Sequence, residues 1–319
     1  MTTHLVTFSD DQMSRSRRLC IESALKHGVD SIAGPHYFDP ALETRDGFTL
    51  EWLKSQRIFQ QMGVDWWTQR GIGYWLWKPY IISLLLSSQL ADPVTGWRGS
   101  LEDGTCIVYA DAGVEFIDNI RYIIDRVDQD VFLFGNNWEH AHWCKRDVVD
   151  AVWPSNLIEA RTLLSAKPVA RRVMSSLEAA YEEATWARFG KQAQASVIVI
   201  RVSEWSRKFV AEWLHWCLTR KGHRGPCSEC DAVSPNAVGY LIDDSPSLVM
   251  NHPEFREHRH DQAILTTLAY REGVKLHYWP AMYNDGAFVY EKLPEYAGDD
   301  YPVLFHHHRR RDHEWTSAA

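Results

Sequence analysis

Two apolar runs limit the fold more than any other feature of the chain. Ser196-Val-Ile-Val-Ile-Arg-Val202 and Thr105-Cys-Ile-Val-Tyr-Ala110 are of strand length and β-branched, and their apolar residues are consecutive rather than alternate. A strand written that way needs cover on both faces, as in a sheet lying between helices. Further strands are expected at His4–Phe8, Ser31–Ala33, Val131–Phe134 and Val274–Tyr278. Helical periodicity is expected at Ser14–His27, Leu50–Met62, Tyr80–Leu90, Ile117–Val127, Leu157–Leu164, Val169–Glu183, Trp205–Arg220 and His260–Glu272. The stretch from Tyr283 onward reads as irregular. Strands interleaved with helices predict an α/β chain, its sheet sandwiched by helices. In open sheets of that kind ligands bind at the carboxyl ends of the strands. The segments Thr7–Asp11 and Asp111–Gly113 and the loop after Phe134 therefore matter most.

Composition excludes several classes. An apolar fraction of 45% and a charged fraction of 24% over 319 residues are ordinary for a globular chain and rule out global disorder. The net charge of -8 argues against a partner held by bulk positive charge, so no nucleic acid is expected. The 15 Trp outnumber both Tyr and Phe, and most are expected in the core. No apolar stretch approaches the roughly 20 residues of a membrane span. The segment Met1–Phe8 lacks the basic flank of a signal peptide, so a cytoplasmic address is expected. The pair Cys227 and Cys230, with His223 before it, lacks the second pair that a structural zinc site needs, and reads as a polar loop with free thiols.

The fingerprints GxGxxG, Walker A, GxSxG and HExxH are missing, which disfavours dehydrogenases, P-loop NTPases, α/β-hydrolases and zincins. Four other segments carry chemistry. Ile107-Val-Tyr-Ala-Asp-Ala-Gly113 ends an apolar strand on a carboxylate followed by small residues. Asp111 there either holds a divalent cation against a diphosphate, because hard cations take carboxylate and phosphate oxygens together, or caps the next turn. In Arg70-Gly-Ile-Gly-Tyr-Trp-Leu-Trp-Lys-Pro79 the glycines permit close backbone approach, and Arg70 and Lys78 offset phosphate charge. The alternative is a loop carrying core aromatics, Trp75 and Trp77 among them. His258-Arg-His-Asp-Gln-Ala-Ile-Leu265 puts His260, Asp261 and Gln262 at a helix N-terminus, where they either suit sugar hydroxyls or merely cap. The tail Phe305-His-His-His-Arg-Arg-Arg-Asp-His313 either folds over phosphates, with a neutral His as a metal ligand, or stays solvated.

The order of these segments, GYWLWKP and RHDQ above all, resembles bacterial glycosyltransferases of the nucleotide-diphospho-sugar transferase type, with the GT-A fold, over most of the chain. The resemblance implies one Rossmann-like domain with a mixed sheet over residues 1–319. Residues 1–135 would bind the nucleotide-sugar, and residues 136–319 the acceptor. It puts Thr7 and Ser9 at the nucleotide base and ribose, and Asp111, Ala112 and Gly113 at the diphosphate, with Arg70, Trp77 and Lys78 beside them. His260, Asp261 and Gln262 would lie near the donor sugar or acceptor, and a tail histidine, taken as His307, would join Asp111 on Mn²⁺ or Mg²⁺. An inverting transfer also needs a carboxylate base, for which Asp147 and Asp261 are the candidates. The implied partners are a UDP-linked sugar donor and a glycan or lipid-linked glycan acceptor in surface polysaccharide synthesis, with at most peripheral membrane contact.

One position departs from the family pattern. Gly113 stands where many such enzymes carry a second metal-binding Asp. Either Asp111 and a His suffice, or Glu115 substitutes, or Arg and Lys replace the cation. Gly113 also favours a rival reading, a non-catalytic nucleotide- or carbohydrate-binding protein of the same fold. A nucleotidyltransferase is disfavoured, because no Gly-rich basic loop follows the first strand.

Overall fold

Strands and helices alternate along the chain, and the strands form a mixed sheet, so the protein is α/β. The computed structural model describes residues 1–33, 38–39, 44–45, 48, 50–87, 101–153, 185–221, 239–283 and 286–315. The helices expected at 157–164 and 169–183 and the Cys227/Cys230 pair lie outside the described residues. The first part of the chain contains β1 (Thr3–Val6), α1 (Ser14–Lys26), β2 (Ser31–Ile32), β3 (Phe38–Asp39), β4 (Thr44–Arg45), α2 (Leu50–Ser55), α3 (Arg57–Met62) and α4 (Trp77–Leu86). Then come β5 (Cys106–Ala110), β6 (Val114–Phe116), α5 (Arg121–Ile124), β7 (Val131–Glu139), α6 (Arg146–Val152), β8 (Lys191–Arg201) and α7 (Glu204–Leu218). The last elements are α8 (His260–Arg271), β9 (Leu276–Tyr278), β10 (Ala281–Tyr283), β11 (Phe288–Val289) and β12 (Phe305–His307). The chain divides into two compact units, residues 1–135, 194–214 and 276–319 in one, and residues 136–193 and 215–275 in the other.

The first unit is built on a six-stranded sheet in the order β2-β1-β5-β8-β7-β9. β1 runs parallel to β2 and to β5, and β7 runs parallel to β9. β8 is antiparallel to β5, with Ile107 opposite Ile200 and Tyr109 opposite Ile198. All five residues of β5 are buried. Period-2 geometry divides them between two faces. Cys106, Val108 and Ala110 join Cys20, Ile21 and Ala24 of α1 in one core. On the opposite face the Tyr109 ring lies 6.3 Å from that of Trp77, on α4. This is the double cover that the uninterrupted apolar run requires. Because β1 lies beside β5, with Val6 opposite Tyr109, the segments that follow these two strands leave the sheet side by side.

The tail read as irregular is ordered. β12 pairs antiparallel with β6, setting His307 opposite Val114 and His306 opposite Glu115, and it runs parallel to β10. Phe305 and Trp279 stack at 5.2 Å and are fully buried, which anchors the strand. The expected Leu50–Met62 helix is two helices, with Gln56 extended at the junction.

The Gly-rich segment before α4 is neither extended nor an ordinary loop. Residues 71–75 all have positive φ, from Gly71 at 61° to Trp75 at 61°. A left-handed turn costs about 1–2 kcal/mol for each non-glycine residue, and Ile72, Tyr74 and Trp75 all bear it. Local contacts offset that cost. The Trp77 indole N–H donates to the Gly71 carbonyl at 3.1 Å, Tyr74 Oη to Gln69 at 3.0 Å, and Trp66 packs on Tyr74. The turn delivers the chain into α4 with Lys78 in its first turn.

In the second unit α6 packs against α8, and Val148, Val149 and Val152 of the one and Ala263, Ile264 and Leu268 of the other are buried. Among the described residues no helix is long and apolar enough to cross a membrane.

A β-carbon on Gly73 would lie 2.1 Å from Trp66 Nε1, at a φ of 80°. Gly73→Ala is expected to destabilise the protein by about 2 kcal/mol or more, the left-handed penalty plus the clash. A melting temperature equal to the wild type's would show that the turn is not as tight as described.

Candidate functional site

Asp111 follows β5 directly. Its N–H donates to the Ser196 carbonyl on β8 at 2.8 Å, and its own carbonyl accepts from Val114. The backbone therefore fixes where the carboxylate emerges. Two groups from the helix-covered face meet it there. Tyr109 Oη donates to Asp111 Oδ1 at 2.6 Å, and Lys78 Nζ lies 3.2 Å from the same oxygen. Lys78 is 4% exposed and Asp111 26%. Lys78 also donates to the Ala195 carbonyl at 3.0 Å and stands 5.2 Å over the Tyr109 ring. A buried ammonium of this kind persists only with a counter-charge and hydrogen-bond acceptors around it. Asp111 is the counter-charge, and its position at the surface leaves the pair within reach of solvent.

The rest of the first-unit site comes from β1 and the tail. Thr7 is buried beside the Cys20 thiol, which burial pushes up to about 12. Ser9 is buried and donates to the Asp10 carbonyl at 2.9 Å. From the tail, Arg309 N–H donates to the Gly113 carbonyl at 3.2 Å. A β-carbon on Gly113 would sit 2.8 Å from Arg309 Cα. That close passage explains the glycine: any side chain here would push the tail away. Arg309 itself has a φ of 53° and an exposed side chain, whose Nε donates to His307 Nε2 at 3.0 Å. With Nε2 accepting, the ring proton is on Nδ1, which reaches Tyr283 Oη at 3.1 Å. Tyr283 in turn accepts from the Trp279 indole at 2.9 Å. His307 is buried and held neutral, its pKa well below the usual imidazole value, first through desolvation and then through the charges of Arg309, His308, Lys78 and His306.

A divalent cation does not fit this donor set. Asp111 Oδ1 is already shared by an ammonium and a phenol, a cation on Oδ2 would stand against that ammonium, and His307 Nε2 faces a guanidinium. Glu115 is turned to His306, at 3.1 Å. Among the described residues, no three His, Cys, Asp or Glu side chains are grouped to hold a metal.

Arg70 lies at the exposed mouth of the left-handed turn, its guanidinium 5.8 Å from the centre of the Trp75 ring. Trp77 is part of the core wall, 4.6 Å from Phe8. Ala112 is buried in the turn between Asp111 and Gly113.

The second unit carries the other expected residues. His260 opens α8 with a φ of 48°, and its Nδ1 donates to the Ile242 carbonyl at 2.9 Å. Asp261 is 3% exposed, and Gln262 donates to Gln192 at 2.7 Å. Asp147, in the first turn of α6, accepts from the Leu248 N–H with both oxygens, at 3.0 and 3.2 Å. Near His258 lie two lysines that the sequence did not flag. Lys145 and Lys221, both buried, converge on Asp243 at 3.7 and 3.8 Å and on the Ser245 carbonyl. Burial, with Lys221 alongside, lowers Lys145 to about 8. These bonds hold the loop that carries Ile242.

The structure thus brings Asp111, Lys78, Ala112, Gly113 and His307 together in the first unit, and Asp147, His260, Asp261 and Gln262 are all placed within the second. Tyr109 and Arg309 were missed as site residues. Tyr109 shares a strand with Asp111, two residues away, so it had a signal in period 2. Arg309 had only its place in a basic run.

The sequence matches no protein-family model and no curated protein. Among solved structures, the fold is similar to that of mouse xyloside xylosyltransferase 1 in its apo form, at 10% identity and a TM-score of 0.41, over 96% of this chain and 97% of that one. A likeness that distant carries no argument about activity.

His140 gives the second unit a pH dependence. It is fully buried, bonded to Thr267 at 3.0 Å, and desolvation lowers it to about 3. Between pH 6.5 and about 3 the unfolded chain binds a proton there that the folded chain does not, so stability falls as pH drops through that window. His140→Leu is expected to flatten this acid slope by up to about 1.4 kcal/mol per pH unit. Urea unfolding at several pH values in the window reads it. An unchanged slope would remove His140 from the acid response.

Proposed function

We propose that the protein is a glycosyltransferase that moves a sugar from a nucleotide-diphosphate donor, UDP-linked, to a hydroxyl of a glycan or lipid-linked glycan. The observation that carries the reading is the Lys78–Asp111 pair, set at the carboxyl end of a central strand of an α/β sheet, where such sheets bind ligands. The resemblance of the GYWLWKP and RHDQ segments to nucleotide-sugar transferases supports it.

In transfer, the bond between the sugar's anomeric carbon and the diphosphate oxygen breaks while the acceptor oxygen bonds to that carbon. The acceptor's proton goes to a base, and the nucleoside diphosphate leaves with the electron pair. The largest charge change falls on the leaving diphosphate, so preorganised positive groups there lower the barrier most. Lys78 is such a group. Asp111 and Tyr109 hold it in place, and the turn through Ala112 and Gly113 offers backbone beside it. Thr7 and Ser9, on the neighbouring strand end, are assigned to the nucleoside. Arg70 and Trp77 flank the Lys78 segment. The resemblance assigns the base to Asp261, with Asp147 as the alternative, and the sugar to His260 and Gln262, all four being residues of the second unit. Surface polysaccharide synthesis in the cytoplasm is the setting that suits such a donor and acceptor.

A second reading, binding without turnover, is favoured by Gly113 in place of an acidic residue. Release of UDP from a panel of UDP-sugars with oligosaccharide acceptors separates the two. Asp111→Asn is expected to lower transfer about a hundredfold, the usual loss on removing one preorganised electrostatic contact, while the melting temperature shows a folded protein. A near-normal rate in that folded variant would end the role given to Asp111.

A further inference from the structure

The charges of the first-unit site suggest how the leaving group is neutralised. Lys78 Nζ sits 3.2 Å from Asp111 Oδ1, so the carboxylate already has a positive charge beside it. The space beyond Gly113 that a second carboxylate would need is filled by the backbone of Arg309. The same residue brings a guanidinium to His307 Nε2, and that side chain is exposed. A neutral imidazole is a weak resting partner for a guanidinium, whereas a phosphate takes its planar fork through two charge-assisted bonds. Asp111 offsets one of the two cations, so the group of Lys78, Arg309, Asp111 and neutral His307 carries a net positive charge.

We propose that this site, on the transferase reading given above, takes the donor's diphosphate without a divalent cation, the exposed Arg309 guanidinium bonding it and the buried Lys78 ammonium acting on it through its charge. His307 and Gly113 are then positioning residues. The imidazole parks the guanidinium, and the missing side chain lets the tail come close enough to bring it. Glu115 takes no part, being turned to His306.

The test is isothermal titration of the full-length protein at constant ionic strength. UDP is titrated in EDTA and in Mn²⁺, and inorganic pyrophosphate in EDTA. The proteins are wild type, Arg309→Gln and Arg309→Lys, each checked by its melting temperature. The side chain is exposed, so both variants are expected to fold. UDP should bind equally in EDTA and in Mn²⁺, and pyrophosphate should bind in EDTA. Arg309→Gln should weaken both ligands about tenfold or more, the usual loss for a hydrogen bond to a charged group, and Arg309→Lys should recover part of the loss. Binding of UDP only with Mn²⁺, or an Arg309→Gln variant that matches wild type in EDTA, overturns the proposal and leaves the transferase reading standing. If neither UDP nor any UDP-sugar binds under either condition, the transferase reading fails, and this proposal with it.

Discussion

A buried ammonium must be met by a negative charge, and in the first unit that requirement organises the surroundings of Lys78. Its side chain is nearly inaccessible, so the energy of desolvating it has to be returned locally. The return comes from two places far apart in sequence: the end of β5, with the Tyr109 ring and the Asp111 carboxylate, and the Ala195 carbonyl on β8. These lie on adjacent strands. The antiparallel register of β5 and β8 brings them together, so the pairing of those two strands and the position of Lys78 depend on each other. The left-handed turn at residues 71–75 makes sense in that light. It is an expensive way to enter a helix, but it sets Lys78 in the first turn of α4, with Trp77 against Phe8 as the apolar support.

The tail answers a different constraint. A strand between two neighbours, as β12 lies between β10 and β6, alternates the surroundings of its two histidines. His307 is buried and neutral between Tyr283 and Arg309, while His306 on the other side meets Glu115. The two units also hold their buried cations differently. Lys78 has a carboxylate at 3.2 Å, whereas Lys145 and Lys221 rely mainly on carbonyls of the 243–246 loop and share one more distant Asp243. The first arrangement leaves its anion at the surface, and the second encloses it.

Much of the fold was legible. The Val197–Arg201 part of β8 and the whole of β5 announced themselves by uninterrupted β-branched residues, and α8 begins at His260 as its Asp-Gln start suggests. What was not legible depends on partners distant in the chain. The antiparallel direction of β8 leaves no mark in its own residues. β12 looks like a polar tail because its apolar content is one phenylalanine, and its burial comes from Trp279 and β6. Residues 71–75 carry only two glycines, too few to announce five left-handed residues in a row. For the site, Asp111 and Lys78 stood out by their flanking motifs, but nothing local showed that they touch. Arg309 was one arginine among three. Only the pairing of β12 with β6 distinguishes it from its neighbours.

That pairing has a bearing on how the molecule is made. Among the described strands, β6 has a single hydrogen-bonded neighbour, β12, which lies 191 residues further along the chain. During synthesis β6 and the backbone of Gly113 must therefore wait, without that neighbour, for those 191 residues to emerge. The six-stranded sheet can close before that. Contacts of such long sequence separation form late, and open strand edges invite wrong partners in the interval. Leu304 and Phe305 also complete the apolar core around β5 and α1, so the same late segment closes both the core and the edge at β6.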